Sequence, residues 1–204
     1  DAPEAPTNRP TILTRGAANA RILYVGGLTN GTLQRVTVTG GYGVGVIGTG
    51  LYINTSSNLL LGSCAISNNY SYSDNNPGGT KAGGAFVAAS DVRMTNCVIT
   101  VNTAYGYGKN YANCWGGGLY VASGKVVLEG CRITGNLAQG HPGNLDGCRG
   151  GGLYLESGSL VVSNSLVVKN RAIGSEAARL TGYGGGIYVG GGTLTVWNTL
   201  FSEN

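Results

Sequence analysis

GGGLYVASGKVVLEGCRITGN (116–136), GGGLYLESGSLVVSNSLVVKN (150–170) and GGGIYVGGGTLTVWNTLFSEN (184–204) are three copies of one block, each starting 34 residues after the last. A fourth copy precedes them, GGAFVAASDVRMTNCVITVN (83–102). A looser one is GLYINTSSNLLLGSCAISNN (50–69), and ILYVGGLTNGTLQRVTVTGG (22–41) is the most degenerate. Within a copy the apolar residues alternate with a period of two, which is the pattern of strands. Leu119 and Val121 face one way with Tyr120 opposite; Val126 and Leu128 follow, then Cys131 and Ile133. Three short strands separated by Gly, Ser or Asn bends cannot bury a core alone. Stacked coils can, because the inward residues of each coil cover those of the next. Helical arrays of the same period need helix formers where this chain has GGG. The fold read from the pattern is therefore all-β. It is a right-handed parallel β-helix of about six coils over residues 22–204, with long loops on one side. Residues 1–21 lack the repeat and read as an extended segment or cap.

Composition agrees. Gly is 38 of 204 residues, against a usual level of about 7 %. Hydrophobic residues reach 42 % and charged ones only 11 %, which is not a disordered composition. The net charge is +4, and its Lys and Arg are scattered rather than gathered into a nucleic-acid patch. No apolar stretch approaches the roughly 20 residues of a membrane span. The chain starts at Asp1, which fits either removal of a leader or a fragment of a longer array.

The repeat lines residues up in columns. Asn69, Asn102, Asn136, Asn170 and Asn204 close the copies, and Asn96, Asn164 and Asn198 share a second column with Ser63 and Gly130. Both columns read as bend formers, since Asn and Gly tolerate left-handed backbone, and stacked Asn side chains also hydrogen-bond from coil to coil. Cys64, Cys97 and Cys131 occupy one inward column and are expected as free, buried thiols. Cys114 and Cys148 sit at equivalent places one period apart. That puts their Cα atoms about one strand spacing from each other, within disulfide range, and such a bond implies an oxidising compartment. The remainder of each period, 70–82, 103–115, 137–149 and 171–183, reads as loops, the natural place for recognition on a rigid solenoid.

The aromatic column runs Tyr24, Tyr52, Phe86, Tyr120, Tyr154, Tyr188, outward if Leu119 and Val121 point inward. Its plain reading is stacking that steadies neighbouring strands. The functional reading takes Tyr52, Phe86, Tyr120, Tyr154 and Tyr188 as a binding ladder for sugar faces or another subunit.

Other motifs carry less. GVGVIG (43–48) fits the dinucleotide fingerprint, but strand-like TGLYINTSSNLLL follows it, so it reads as a turn. Hydrolysis of a glycan calls for two carboxylates a few ångströms apart. The nine acids, Asp1, Glu4, Asp74, Asp91, Glu129, Asp146, Glu176, Glu156 and Glu203, include no adjacent pair. Asp146 and Glu176, in successive loops with His141 and Arg149 nearby, are the one candidate constellation. His141 is the sole histidine, and no spacing suggests zinc. No cofactor, metal or catalytic residue is assigned.

GGAF (83–86), GGGL (116–119 and 150–153), GGGI (184–187) and FSEN (201–204) resemble the repeated GGA[ILV] and FxxN motifs of polymorphic outer membrane proteins and related bacterial β-helix surface proteins. ITVN, ITGN and VVKN are aliphatic versions of the second motif. The resemblance spans roughly residues 22–204 and implies an extracellular, passenger-like domain without that family's membrane barrel. The expected function is thus a non-enzymatic, secreted or cell-surface structural or adhesive protein. Its expected partners are surface glycans, other surface proteins, or further copies joined head to tail into a filament. A carbohydrate-binding or polysaccharide-cleaving β-helix is the alternative.

Overall fold

The alternation in residues 119–133 sends Leu119, Val121, Val126, Leu128, Cys131 and Ile133 into one interior, each 1 % exposed or less. The computed structural model that shows this describes residues 10–16, 19–74, 79–107, 113–142, 147–174 and 182–204. The chain winds as stacked coils, and among the described residues every strand-to-strand ladder is parallel, with one isolated antiparallel bridge between Ala20 and Tyr42. The coil containing Tyr120 is representative. Leu119–Val121 lies in sheet 1, Gly124–Glu129 in sheet 2 and Arg132–Thr134 in sheet 3. The chain then runs through Leu137–Gly140 in sheet 4 and returns at Cys148–Arg149 in sheet 5. Among the described residues the five sheets hold six, six, seven, five and three strands. The register is one coil throughout, with Tyr120 opposite Tyr154, Leu128 opposite Val162 and Ile133 opposite Val167. The seventh strand of sheet 3 is Thr11–Thr14, which pairs with Val36–Thr39, so the N-terminal segment lays one rung beneath the first coil.

The segments read as loops need correcting. Tyr70–Asp74, Thr103–Tyr107, Leu137–Gly140 and Arg171–Ile173 are strands of sheet 4, and Thr80–Lys81, Cys114–Trp115 and Cys148–Arg149 form sheet 5. A coil thus carries up to five strands rather than three. The inward residues of sheet 4 are small: Ser71, Ser73, Ala104, Gly106, Ala138 and Gly140 are all buried. Without large aliphatic residues on the buried face, the alternation there does not read as hydrophobic. The small residues leave room for sheet 5 to pack close. Ser71 Oγ lies 2.5 Å from Thr80 Oγ1, and Ala138 packs on Cys114 and Cys148.

The two Asn columns do different jobs. Asn96, Asn164 and Asn198 take positive φ (53°, 49° and 46°), as do Ser63 and Gly130, so this column bends the chain as expected. The residues that close each copy do not. The left-handed position lies one residue earlier, at Asn68, Val101, Gly135, Lys169 and Glu203. Asn69, Asn102, Asn136 and Asn170 instead turn inward, buried, as a continuous amide ladder. Each Nδ2 donates to the Oδ1 of the next coil, at 2.9 Å for Asn69 to Asn102, Asn102 to Asn136 and Asn136 to Asn170. The same amide donates to a carbonyl one coil back, as Asn136 does to Ile99 O at 2.9 Å. The GG pairs lie against this ladder. A Cβ at Gly118 would stand 2.6 Å from Gly152 O and 2.9 Å from Asn136 Cγ, so close approach selects glycine there.

Cys64, Cys97 and Cys131 are free, buried and in one column, as the alternation requires. The Cys64 amide donates to Cys97 Sγ at 3.4 Å. The hydrogen-bonded Cys131 thiol, together with burial, pushes the Cys97 thiol up to about 11.

Candidate ligand-binding surfaces

Tyr120 does point away from the coil interior, yet it is 0 % exposed. Sheet 5 covers it. Lys81, Trp115 and Arg149 form one column on that sheet, extended by a bridge from Arg149 to Tyr183. This column packs against the rings of sheet 1, which are stacked at 4.8–5.5 Å between centroids. These side chains, with Arg21, each reach a ring of a later coil. The Arg21 guanidinium lies 4.3 Å from the Tyr52 centroid, the Lys81 ammonium 5.1 Å from Tyr120, and Arg149 5.5 Å from Tyr188. The Trp115 ring lies 6.0 Å from Tyr154. The attraction of a cation to an aromatic face, about 0.5–1 kcal/mol at exposed sites, thus ties successive coils together. Burial pushes the phenols of Tyr120 and Tyr154 up. Tyr120 Oη, Trp115 Nε1 and Arg149 Nε have no hydrogen-bond partner among the described residues. The ladder Tyr52, Phe86, Tyr120, Tyr154, Tyr188 is therefore closed to large ligands along its middle, where Phe86 and Tyr154 are only 7 % and 8 % exposed. Tyr52 and Tyr188 are partly exposed, and Tyr24, beyond them, is open at 58 %.

A second aromatic array escapes a hydrophobic reading of the sequence. On the outer face of sheet 4, Tyr42, Tyr70, Tyr72, Tyr105 and Tyr107 form a diagonal band that ends on His141. Neighbouring centroids are 5.4–6.5 Å apart and the ring planes agree within 25°. The His141 ring meets the edge of Tyr107 at 4.5 Å, and Arg15 lies 5.3 Å over the Tyr42 ring. All five tyrosines are partly exposed, Tyr42 and Tyr107 most, at 37 % and 36 %. The strands place them: Tyr42 pairs with Tyr70, and Tyr72 with Tyr105. The signal was present in YSYSD (70–74) and TAYGY (103–107), where tyrosine alternates with small residues. Partial burial and neighbouring phenols push Tyr70 up to about 12.

The candidate acid constellation is not assembled by the described residues. Asp146 and Glu176 lie outside them. His141 follows sheet 4 and packs on Tyr107, whereas Arg149 belongs to sheet 5 and lies over Tyr188. Glu129, Glu156 and Glu203 pair at the surface with Arg93, Lys81 and Lys169. GVGVIG is a short strand, Tyr42–Val44, followed by a turn with Gly45 and Gly48 at positive φ, and it opens no helix.

The bond between Cys114 and Cys148 forms, with Cα atoms 4.7 Å apart. It links two adjacent coils on the inner side of sheet 5, behind the tyrosine band.

Residues 16–204 match the family described as the right handed beta helix region. The chain belongs to that family. The family includes both enzymes and non-enzymes, so membership shows this β-helix's architecture and leaves its chemistry to the site. No curated protein and no solved structure matches the chain.

Proposed function

We propose that this β-helix works outside the cytoplasm as a non-enzymatic, adhesive solenoid that recognises its ligand on the outer face of sheet 4. The observation that carries the reading is the tyrosine band on a wall stapled from behind by Cys114–Cys148. The buried small residues behind sheet 4 back the band, and the disulfide ties the coil of Tyr105 and Tyr107 to the next one. Partly exposed aromatic side chains are large contact surfaces that lose little entropy on binding. A disulfide between coils supports an oxidising compartment. Adhesion explains a solenoid whose coil-to-coil hydrogen bonding serves rigidity and whose stacked, partly exposed tyrosines gather on one wall.

The test has two arms. Intact cells that make the protein are labelled with an antibody, without permeabilisation, and the purified chain is measured for retention on host or neighbouring cell surfaces. Surface labelling and retention are expected. The same chain is incubated with a polysaccharide panel and assayed for new reducing ends and unsaturated products. Turnover that survives repurification would replace the adhesive reading with the enzymatic one, and purely cytoplasmic labelling would end it.

A further inference from the structure

We infer that the band formed by Tyr42, Tyr70, Tyr72, Tyr105 and Tyr107 is a binding site for an extended neutral polysaccharide. This rests on the adhesive reading above and names its ligand class. A sugar ring has an apolar face of C–H groups and a rim of hydroxyls. Its complement is an aromatic face bordered by hydrogen-bonding groups, and the band supplies both. Its rings share an orientation within 25° and sit 5.4–6.5 Å apart. At these separations the stacking is offset, and all five side chains keep part of their surface exposed. Thr103 and Gln139 lie in register beside Tyr70 and Tyr105 and are partly exposed, adding uncharged hydrogen-bonding groups.

Spacing and charge narrow the class. The rings follow the coil stack, whose rise is about 4.8 Å, so contacts recur along a line rather than converge on one pocket. A repeating chain can use such a line, whereas a single small molecule cannot. A polyanion would need cations repeated along its path. Arg15 lies over Tyr42, at one edge of the outer face, and Arg171 heads the last strand of sheet 4, at the other. Between them the tyrosines, Thr103, Leu137 and Gln139 are uncharged. A neutral chain fits that distribution.

The experiment measures binding of the full chain to β-1,4-linked glucose and N-acetylglucosamine hexasaccharides by calorimetry, with polygalacturonate as the anionic comparison. Binding to a neutral hexasaccharide is expected, stronger than to polygalacturonate. Tyr72→Ala and Tyr105→Ala are each expected to weaken it about tenfold, the loss of one stacked ring. Tyr105→Phe is expected to weaken it less. Tyr107→Ala, at the exposed end of the band, tests the same face with less risk to folding, and unchanged circular dichroism and unfolding midpoint qualify each variant. Tyr24→Ala, in the other aromatic array, is expected to leave binding unchanged. The proposal is overturned if neither neutral hexasaccharide binds, if polygalacturonate binds better, or if folded Tyr72→Ala, Tyr105→Ala and Tyr107→Ala bind like the parent. Cell retention separates the two readings. If the three variants still adhere to cells, the adhesive function stands on another surface and a protein ligand replaces the glycan. If the parent binds sugar but neither reaches nor holds a surface, the adhesive reading fails and the glycan site stands.

Discussion

Replacing Asn136 by Ala removes the middle of the amide ladder, and its cost follows from the bonds lost. Asn136 Oδ1 accepts from Asn102 N at 3.1 Å and from Asn102 Nδ2 at 2.9 Å. Its Nδ2 donates to Ile99 O and to Asn170 Oδ1, both at 2.9 Å. After truncation Asn170 Oδ1 keeps the Asn136 backbone amide, at 3.1 Å. The Asn102 backbone N–H and one of its side-chain hydrogens are left without an acceptor, and Asn102 is 0 % exposed. Each stranded donor costs about 1–3 kcal/mol, so Asn136→Ala is expected to lose about 4 kcal/mol, a large share of the 5–15 kcal/mol that holds a typical protein folded. Urea unfolding followed by circular dichroism measures it, and amide exchange at Asn102 locates it. Asn136→Asp adds a pH signature. A carboxylate still accepts from Asn102 but meets Ile99 O and Asn170 Oδ1 with no proton to donate, whereas the protonated acid donates to one of them. Its folded pKa therefore rises above the ordinary value of about 3.9. The stability of this variant is fullest below that value and is lost as pH rises through the raised one. A loss under about 1 kcal/mol for Asn136→Ala, or an Asn136→Asp variant equally stable at acid and neutral pH, would refute the account of the ladder as a fully paired buried network.

Three further outcomes are expected. Denatured without reductant, the chain should show three reactive thiols, from Cys64, Cys97 and Cys131, and Cys114→Ser should lower stability by about 3–4 kcal/mol, the chain-entropy value for this loop; five thiols would contradict the bond. Gly117→Ala puts a Cβ 2.4 Å from Leu137 O and 2.5 Å from Gly151 O and should cost more than Gly135→Asn. Gly135 has φ +63° and only Val101, at 4.0 Å, nearby, and Asn already fills the matching position at Asn68; thermal unfolding of both variants checks the order. In an alkaline titration followed by phenolate absorbance, Tyr70 should ionise near 12 rather than near 10. Because the fold holds that proton more tightly, its contribution to stability is complete below about 10 and is lost as pH rises through 12, so unfolding midpoints should fall over that range.

The coil follows from the repeat alone. A period of 34 with strict alternation in Leu119–Val121, Val126–Leu128 and Cys131–Ile133 leaves parallel stacking as the way to bury those residues. The same periodicity put Cys114 beside Cys148 and lined up the thiols of Cys64, Cys97 and Cys131. These are consequences of repetition: equal spacing along the chain becomes adjacency at one strand spacing across it. Repetition also lined up both Asn columns, but it could not say which of them turns inward. That depended on which backbone position goes left-handed, and the neighbour, at Val101 or Lys169, takes it against its own preference. Nor could repetition reveal what lies outside the coil. Tyr120 is outward by alternation and buried by tertiary packing, because sheet 5 folds back over it with Lys81 and Trp115. Sheet 4 is held by small inward residues, Ser71, Ala104 and Ala138, whose burial serves close backbone approach more than hydrophobic gain, so its pattern carries little hydropathy. Only the folded chain shows that its outward tyrosines meet as one band, since Tyr42, Tyr72 and Tyr107 come from three successive coils and are neighbours only once the strands are in register.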